Sequence, residues 1–496
     1  MHDKLKKMVE YIRSNFVTVY LLLMFFYFPL YTRDMLYDVT VAKYLFVVKT
    51  TIFFAGCFLL LYFLKWDKIC KDRFQKGDVL YVLFLLAGVI SVCISDNRRE
   101  AWNGEAGRHL GLLLYLIYGM AIVLVVTAEK INHIIFYGYA ISTAAVSVLG
   151  VLNRYGIDPL HFYDEMVDDQ KAVYISTIGN VDFFSVHLGV AFLFFAVLFL
   201  ISNNTKELCI YGTAMTMAAL GICSSIADSG YIAAFFYMIT GWIVVKKEMQ
   251  LFRYFFSICI FFSCEEVIKY LNMRSAPDVM DGIGIWIQNS ICEIAIIIAA
   301  FFAVLVLAGT KIDAGWKNMF YRKAKSILQI VVILLAAVMI ILFFAVNFFY
   351  IGIAENGILS YLHITDEWGN GRGYVWRGSV SYYKQLPLIK KCFGIGPDRL
   401  ISIFRSVGYD NAHNEFLQFL LTHGAIGTFF YFAWGIYSFY ELVTDGKKQK
   451  YCIAVAMTTV GYALMMCFSV NTVHVTIIPL LLLCIGKRLS KKVFKE

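Results

Sequence analysis

The residues best suited to chemistry gather in the stretch 350–424, which carries seven cations (Arg372, Arg377, Lys384, Lys390, Lys391, Arg399 and Arg405) together with His413. The run Gly369-Asn370-Gly371-Arg372-Gly373-Tyr374-Val375-Trp376-Arg377 passes from a glycine-rich turn into a segment with helical apolar spacing. An arginine there adds a planar five-donor group to the free backbone N–H groups of a first helical turn, and the combination suits a phosphate or diphosphate. Arg372 is therefore the best anion ligand in the sequence, against the bland alternative of a solvated loop arginine. Trp376, four residues on, is expected to pack against its own loop or an interface rather than to stack on a sugar.

A base is needed beside such an anion site if a hydroxyl is to be activated, and Asn411-Ala412-His413-Asn414-Glu415-Phe416-Leu417 offers one. Asn411 is expected to cap a helix, with His413 in its first turn. The positive end of that helix disfavours an imidazolium, so the ring stays neutral near pH 7 and can accept a proton. Between the two motifs, Pro387 to Pro397 reads as a turn joining two short helices, with a structural role. A second cationic stretch, Asp96 to His109, contains Arg108, which either reaches a phosphate or snorkels at a membrane edge. The acidic run Asp164, Glu165, Asp168 and Asp169 reads as a solvated face.

The elements that must hold these residues are membrane helices. Of 496 residues, 60% are hydrophobic and 16% charged, where soluble domains have about 45–50% and about 25%; an ordinary globular enzyme and a disordered chain are both excluded. Runs long enough to cross a bilayer fall near 16–31, 42–64, 78–95, 110–128, 131–152, 181–201, 207–225, 229–245, 251–271, 287–308, 327–349, 425–443, 451–469 and 473–486, which makes about 12–14 transmembrane helices in one polytopic domain, 1–496. The pair near 207–225 and 229–245 is a candidate broken span. The net charge of +9 serves orientation rather than nucleic-acid binding. The basic segments Lys65 to Lys76, Lys311 to Lys325, Lys447 to Lys450 and Lys487 to Lys495 place both termini in the cytoplasm. Lys4, Lys6 and Lys7 precede an uncleaved first span. The segment 350–424 then lies outside, and its cations, kept there against the orientation rule, call for an anionic substrate at the outer surface. Lys49 and Asp228 fall in or near the bilayer, and His187 and His474 within spans. The 12 cysteines sit mostly in apolar runs, with no metal-ligand spacing and no disulfide framework.

Gly371-Arg372 followed by Trp376, the Pro387 to Pro397 stretch, and Ala412-His413-Asn414 leading to His423-Gly424-Ala425-Ile426-Gly427 resemble the O-antigen ligase and polymerase family of bacterial polysaccharide assembly. Ile178-Gly179-Asn180-Val181-Asp182 and the Arg108 loop are similar to two further family features. Where members often read Ser-Arg-Gly at the start of a later span, this chain has Asp228-Ser229-Gly230. The resemblance implies an all-α, GT-C-like fold in the bacterial inner membrane, working without a metal or other cofactor. It implies transfer or polymerisation of a glycan from an undecaprenyl-diphosphate donor onto a glycan, lipid or protein acceptor. His413 matches the family's essential histidine and Arg372 its diphosphate arginine; Arg108, Arg377 and Asn414 complete the expected substrate-binding set. The chemistry agrees, since a leaving diphosphate needs cations and an attacking hydroxyl needs a base. A flippase or other polysaccharide transporter is the rival, but transporters concentrate charge at midplane depth, whereas here it lies in loops.

Overall fold

A computed structural model describes residues 15–63, 76–171, 173–275, 283–309, 314–349, 362–404, 409–446 and 449–491. Arg405 and most of the basic orientation signals, including Lys4 to Lys7, Lys65, Lys311, Lys447 and Lys495, lie outside the described residues. The protein is an all-α integral membrane protein. The expected spans fall on helical residues, that near 287–308 on two helices, Ile283–Ser290 and Cys292–Gly309. By length and apolar composition five qualify as membrane spans on their own: Val39–Leu60, Ile134–Arg154, Val181–Ile201, Thr205–Ser224 and Val473–Ser490. Ile283–Ser290 and Cys292–Ala308 qualify together, bent by 70° at their junction. Several others, such as Asp78–Ile94, Leu112–Val126 and Lys450–Met466, are shorter apolar helices. The pair near 207–225 and 229–245 is not one broken span: Thr205–Ser224 is long and apolar enough to cross by itself, Ser229–Thr240 is a separate helix, and the Asp228 carboxylate at their junction accepts the Ile283 N–H at 3.0 Å.

Two helices form the axis of the bundle. Val181–Ile201 is 89% buried and Val473–Ser490 94% buried, against 28% for Val39–Leu60; a helix apolar on all faces must be wrapped by others, and one with little coverage is left facing lipid. Lys49, on the outward helix, is exposed. Lys43 is the buried lysine instead, its ammonium donating to the carbonyls of Phe28, Pro29 and Tyr31 at 2.9, 3.2 and 3.1 Å, where the first helix ends. The axial helices start at the same end, since Phe183 and His474, each in a first turn, stack with centroids 5.2 Å apart.

At that end residues 362–404 and 409–424 pack over the bundle through the helices Trp368–Gln385, Leu388–Phe393, Ile401–Phe404 and Glu415–Thr422. It has a small core of its own, with Val375, Leu400 and Leu421 fully buried; burying such a side chain is worth about 1.5–3 kcal/mol. The Pro387–Pro397 stretch, expected as a turn between two short helices, instead contains the helix Leu388–Phe393, and it ties the cap together because Ile395 and Gly396 donate their N–H groups to the Leu421 and Thr422 carbonyls.

Candidate functional site

The turn before Arg372 is left-handed at three consecutive positions, Gly369, Asn370 and Gly371 (φ 60°, 57° and 83°). A Cβ at Gly371 would run into the Tyr409 hydroxyl, so glycine is required there by space as well as by φ. Regular helix resumes at Arg372, whose guanidinium lies 3.7 Å from an Asp182 carboxylate oxygen. Asp182 stands in the first turn of Val181–Ile201, which Asn180 caps. At 3.7 Å the pair is an ion pair without a hydrogen bond, leaving the donors of Arg372 open to another acceptor.

Arg108 is bound far more closely. Its Nε and an Nη donate to the two oxygens of Asp410 at 2.7 and 3.0 Å, and its guanidinium lies 5.3 Å over the Phe183 ring. It therefore faces into the protein and does not snorkel. The main chain around it is fixed by Asp398, whose Oδ2 accepts the N–H groups of Arg108 and Leu110, both at 2.9 Å. The fit leaves no room at Gly107, where a Cβ would lie 2.5 Å from both Asp398 oxygens. Burial pushes the Asp398 carboxyl up to about 7, against the pull of the two backbone donors. Burial also raises Asp410, but the charge and hydrogen bonds of Arg108 outweigh it and hold Asp410 below the usual carboxylate range.

His413 does not sit inside a helix. The N-cap is Asn414, whose Oδ1 accepts the Leu417 N–H at 3.0 Å, and the helix begins at Glu415. Asn411 instead accepts the His413 N–H at 2.8 Å, two residues on, in a turn. His413 takes φ 45°, a conformation that costs a side-chain-bearing residue about 1–3 kcal/mol and persists where its surroundings dictate it. Its ring meets Tyr409 edge-on at 6.2 Å, and its Nδ1 is buried without a hydrogen-bond partner in the protein. The expected neutral imidazole is found, for a different reason. Burial, then the charges of Arg372 and Arg108, lower its pKa to about 4, with Asp410 opposing.

Arg372, Arg108 and His413 thus share one electrostatic neighbourhood. Two expected ligands do not join it. Arg377 is paired with Asp366 at 2.6 Å on a side chain 67% exposed. Asn414 is committed to the fold, with its Nδ2 donating to the Cys467 carbonyl at 2.8 Å besides its capping bond. Asp398 and Asp410 were missed by sequence reasoning, and carboxylates inside an otherwise cationic loop were the available signal; Asp182 was read as part of the Ile178–Asp182 feature but not as the partner of Arg372. Trp376 packs within the loop as expected, and its indole N–H donates to Ala412 at 3.1 Å.

Residues 285–432 match the family model described as O-antigen ligase. The chain carries an O-antigen ligase domain. That domain supplies Arg372, Asp398, Asp410 and His413, while Arg108 and Asp182 reach the same site from earlier in the O-antigen ligase-like chain. No curated protein matches the chain. The match supports a function of the O-antigen ligase or polymerase type.

Proposed function

We propose that this protein takes a glycan from an undecaprenyl-diphosphate carrier at the outer face of the bacterial inner membrane, with both of its own termini in the cytoplasm, and joins it to an acceptor hydroxyl. The observation that carries this reading is the convergence of Arg372, Arg108 and a neutral, unpartnered His413 from separate segments. In the reaction the bond from the sugar's anomeric carbon to the diphosphate oxygen breaks, and its electron pair leaves with the diphosphate. Arg372, with open donors, stabilises that charge, and Arg108 adds to it. The acceptor oxygen forms the new bond, and its proton passes to the His413 ring.

Burial, and after it the charges of the same two arginines, lower the His413 pKa and keep the base weak. A bound diphosphate cancels their field and moves His413 back toward its ordinary value, so base strength rises when the donor is loaded.

Purified protein supplied with a lipid-diphosphate-linked glycan and an acceptor tests the reading directly. Release of lipid diphosphate with formation of a glycosylated acceptor is expected. Movement of intact lipid-linked glycan across a vesicle, with no bond broken, would assign a transporter instead.

A further inference from the structure

Beside the arginines lies a cluster of a different chemistry. Trp368, Trp376 and Phe468 are mutually packed, with ring centroids 5.4, 6.1 and 6.0 Å apart, and each is partly exposed. The cluster is fastened on both sides of His413. Trp376 donates to the carbonyl of Ala412, the residue before it, and Asn414, the residue after it, donates to the carbonyl of Cys467, next to Phe468. A tryptophan of a membrane-interface belt turns its N–H toward headgroups or water; the Trp376 N–H is spent on the histidine's own loop. None of the three rings is ionisable, so the cluster offers nothing to a diphosphate. Flat aromatic faces suit the C–H face of a pyranose, whose hydroxyls project from its rim toward polar neighbours.

We propose that Trp368 and Phe468, held in place by the packed ring of Trp376, form the acceptor subsite and that the acceptor is a saccharide, one ring of which stacks there and presents a hydroxyl to His413. The inference rests on the transfer reading above and narrows it, because a lipid alcohol or a protein side chain has no such ring to stack. The donor enters on the arginine side of His413 and the acceptor on the aromatic side.

The experiment measures turnover with a lipid-diphosphate-linked glycan while a saccharide acceptor is varied. Trp368→Leu keeps an apolar side chain but loses the flat face; Trp368→Phe keeps a ring. Leu should raise the KM for the saccharide roughly tenfold, the size of a lost aromatic contact, and shift the donor KM far less, while Phe should restore most of the loss. Phe468→Leu should repeat the pattern. Leu variants with wild-type acceptor KM, or with donor and acceptor KM raised equally, would reduce the cluster to packing. A wild type that glycosylates a lipid alcohol or a peptide hydroxyl but no saccharide would overturn the subsite and keep the transferase. A wild type that releases no lipid diphosphate with any acceptor would overturn the transferase itself.

Discussion

Two charged clusters stand at opposite ends of the bundle. At one end Arg108, Asp410, Arg372 and Asp182 come from loops and first turns, with side chains 25%, 35%, 18% and 31% exposed. At the other, Lys487 in the last turn of Val473–Ser490 is paired with Asp78, at the start of Asp78–Ile94, and with Glu441, near the end of Gly424–Thr444; these side chains are 0%, 7% and 10% exposed. Lys487 also donates to Ser438 and lies over the Trp434 ring. The sealed cluster closes on itself and joins three helices. The open one leaves Arg372 without a hydrogen-bonded carboxylate and His413 with a bare ring nitrogen. Unsatisfied polar atoms occur in both, since Glu441 Oε2 is buried without a hydrogen bond as well; the clusters differ in exposure, and charges that solvent or substrate can reach are the ones that mark a site.

The largest effect separating the clusters belongs to His413. His413→Ala should lower transfer by about 10²–10⁴, the usual share of a general base, with donor binding retained; a variant that loses donor binding instead would make the ring a ligand. Next comes Arg372→Lys. A lysine keeps the charge but not the fork, and the loss of a charge-assisted bond, about 1.5–3 kcal/mol, corresponds to a fall in transfer of roughly tenfold to a hundredfold. Arg377→Ala, on the Asp366 pair, should leave transfer close to wild type, and an effect as large as that at Arg372 would move the anion site along the helix.

The sequence made the spans legible because apolar runs and membrane helices are the same fact seen twice, and it made Arg372 legible because the glycines before it leave few alternatives to a turn. It misplaced the cap at His413, since Asn411 and Asn414 are equally good capping types and only tertiary contacts, Asn414 to Cys467 and Gln418 to the Ala412 N–H, choose between them. The acidic partners were hidden for a related reason. Asp182 and Asp410 acquire meaning only against arginines 190 and 302 positions away in the chain, and Asp398 only against backbone N–H groups, which have no sequence signature. How many of the fourteen expected spans cross the bilayer depends on lengths and breaks that hydropathy blurs.

A smaller effect should appear in the pH dependence. In the unliganded protein the His413 pKa is about 4, so kcat/KM for the donor should lose its His413 contribution only as pH falls toward 4. Bound diphosphate offsets the two arginines, so the corresponding acid limb of kcat should lie at higher pH. An imidazolium acting as ligand would give the opposite sign, with activity lost as pH rises. Asp398 adds a separate limb. Its carboxyl, faced by Glu100 and Arg108, titrates near 7, and protonation below that weakens the acceptor that fixes the Arg108 main chain. Donor KM should therefore rise several-fold as pH falls through 7, the difference of about 1 kcal/mol between charged and neutral hydrogen bonds. Asp398→Asn should show the raised KM throughout and lack this limb; an unchanged pH profile would free Arg108 from any dependence on Asp398.

The sealed cluster should give the smallest effect on activity and a large one on stability. Lys487→Met removes the cation that pairs with both Asp78 and Glu441, leaving two buried carboxylates with the charge of Lys491 to offset them. Breaking one partner of such a cluster costs about 3–5 kcal/mol, which should appear as a lowered thermal midpoint in detergent. Transfer per folded molecule should stay near wild type, because the cluster lies at the far end of the bundle from His413. Replacing all three charges together, as Asp78→Leu, Glu441→Leu and Lys487→Met, should recover most of the midpoint, since an apolar set of similar volume avoids the desolvation that the ion pairs must offset. If Lys487→Met instead lowered turnover without lowering the midpoint, the closed cluster would be coupled to the reaction, and exposure would no longer separate the functional charges of this bundle from the structural ones.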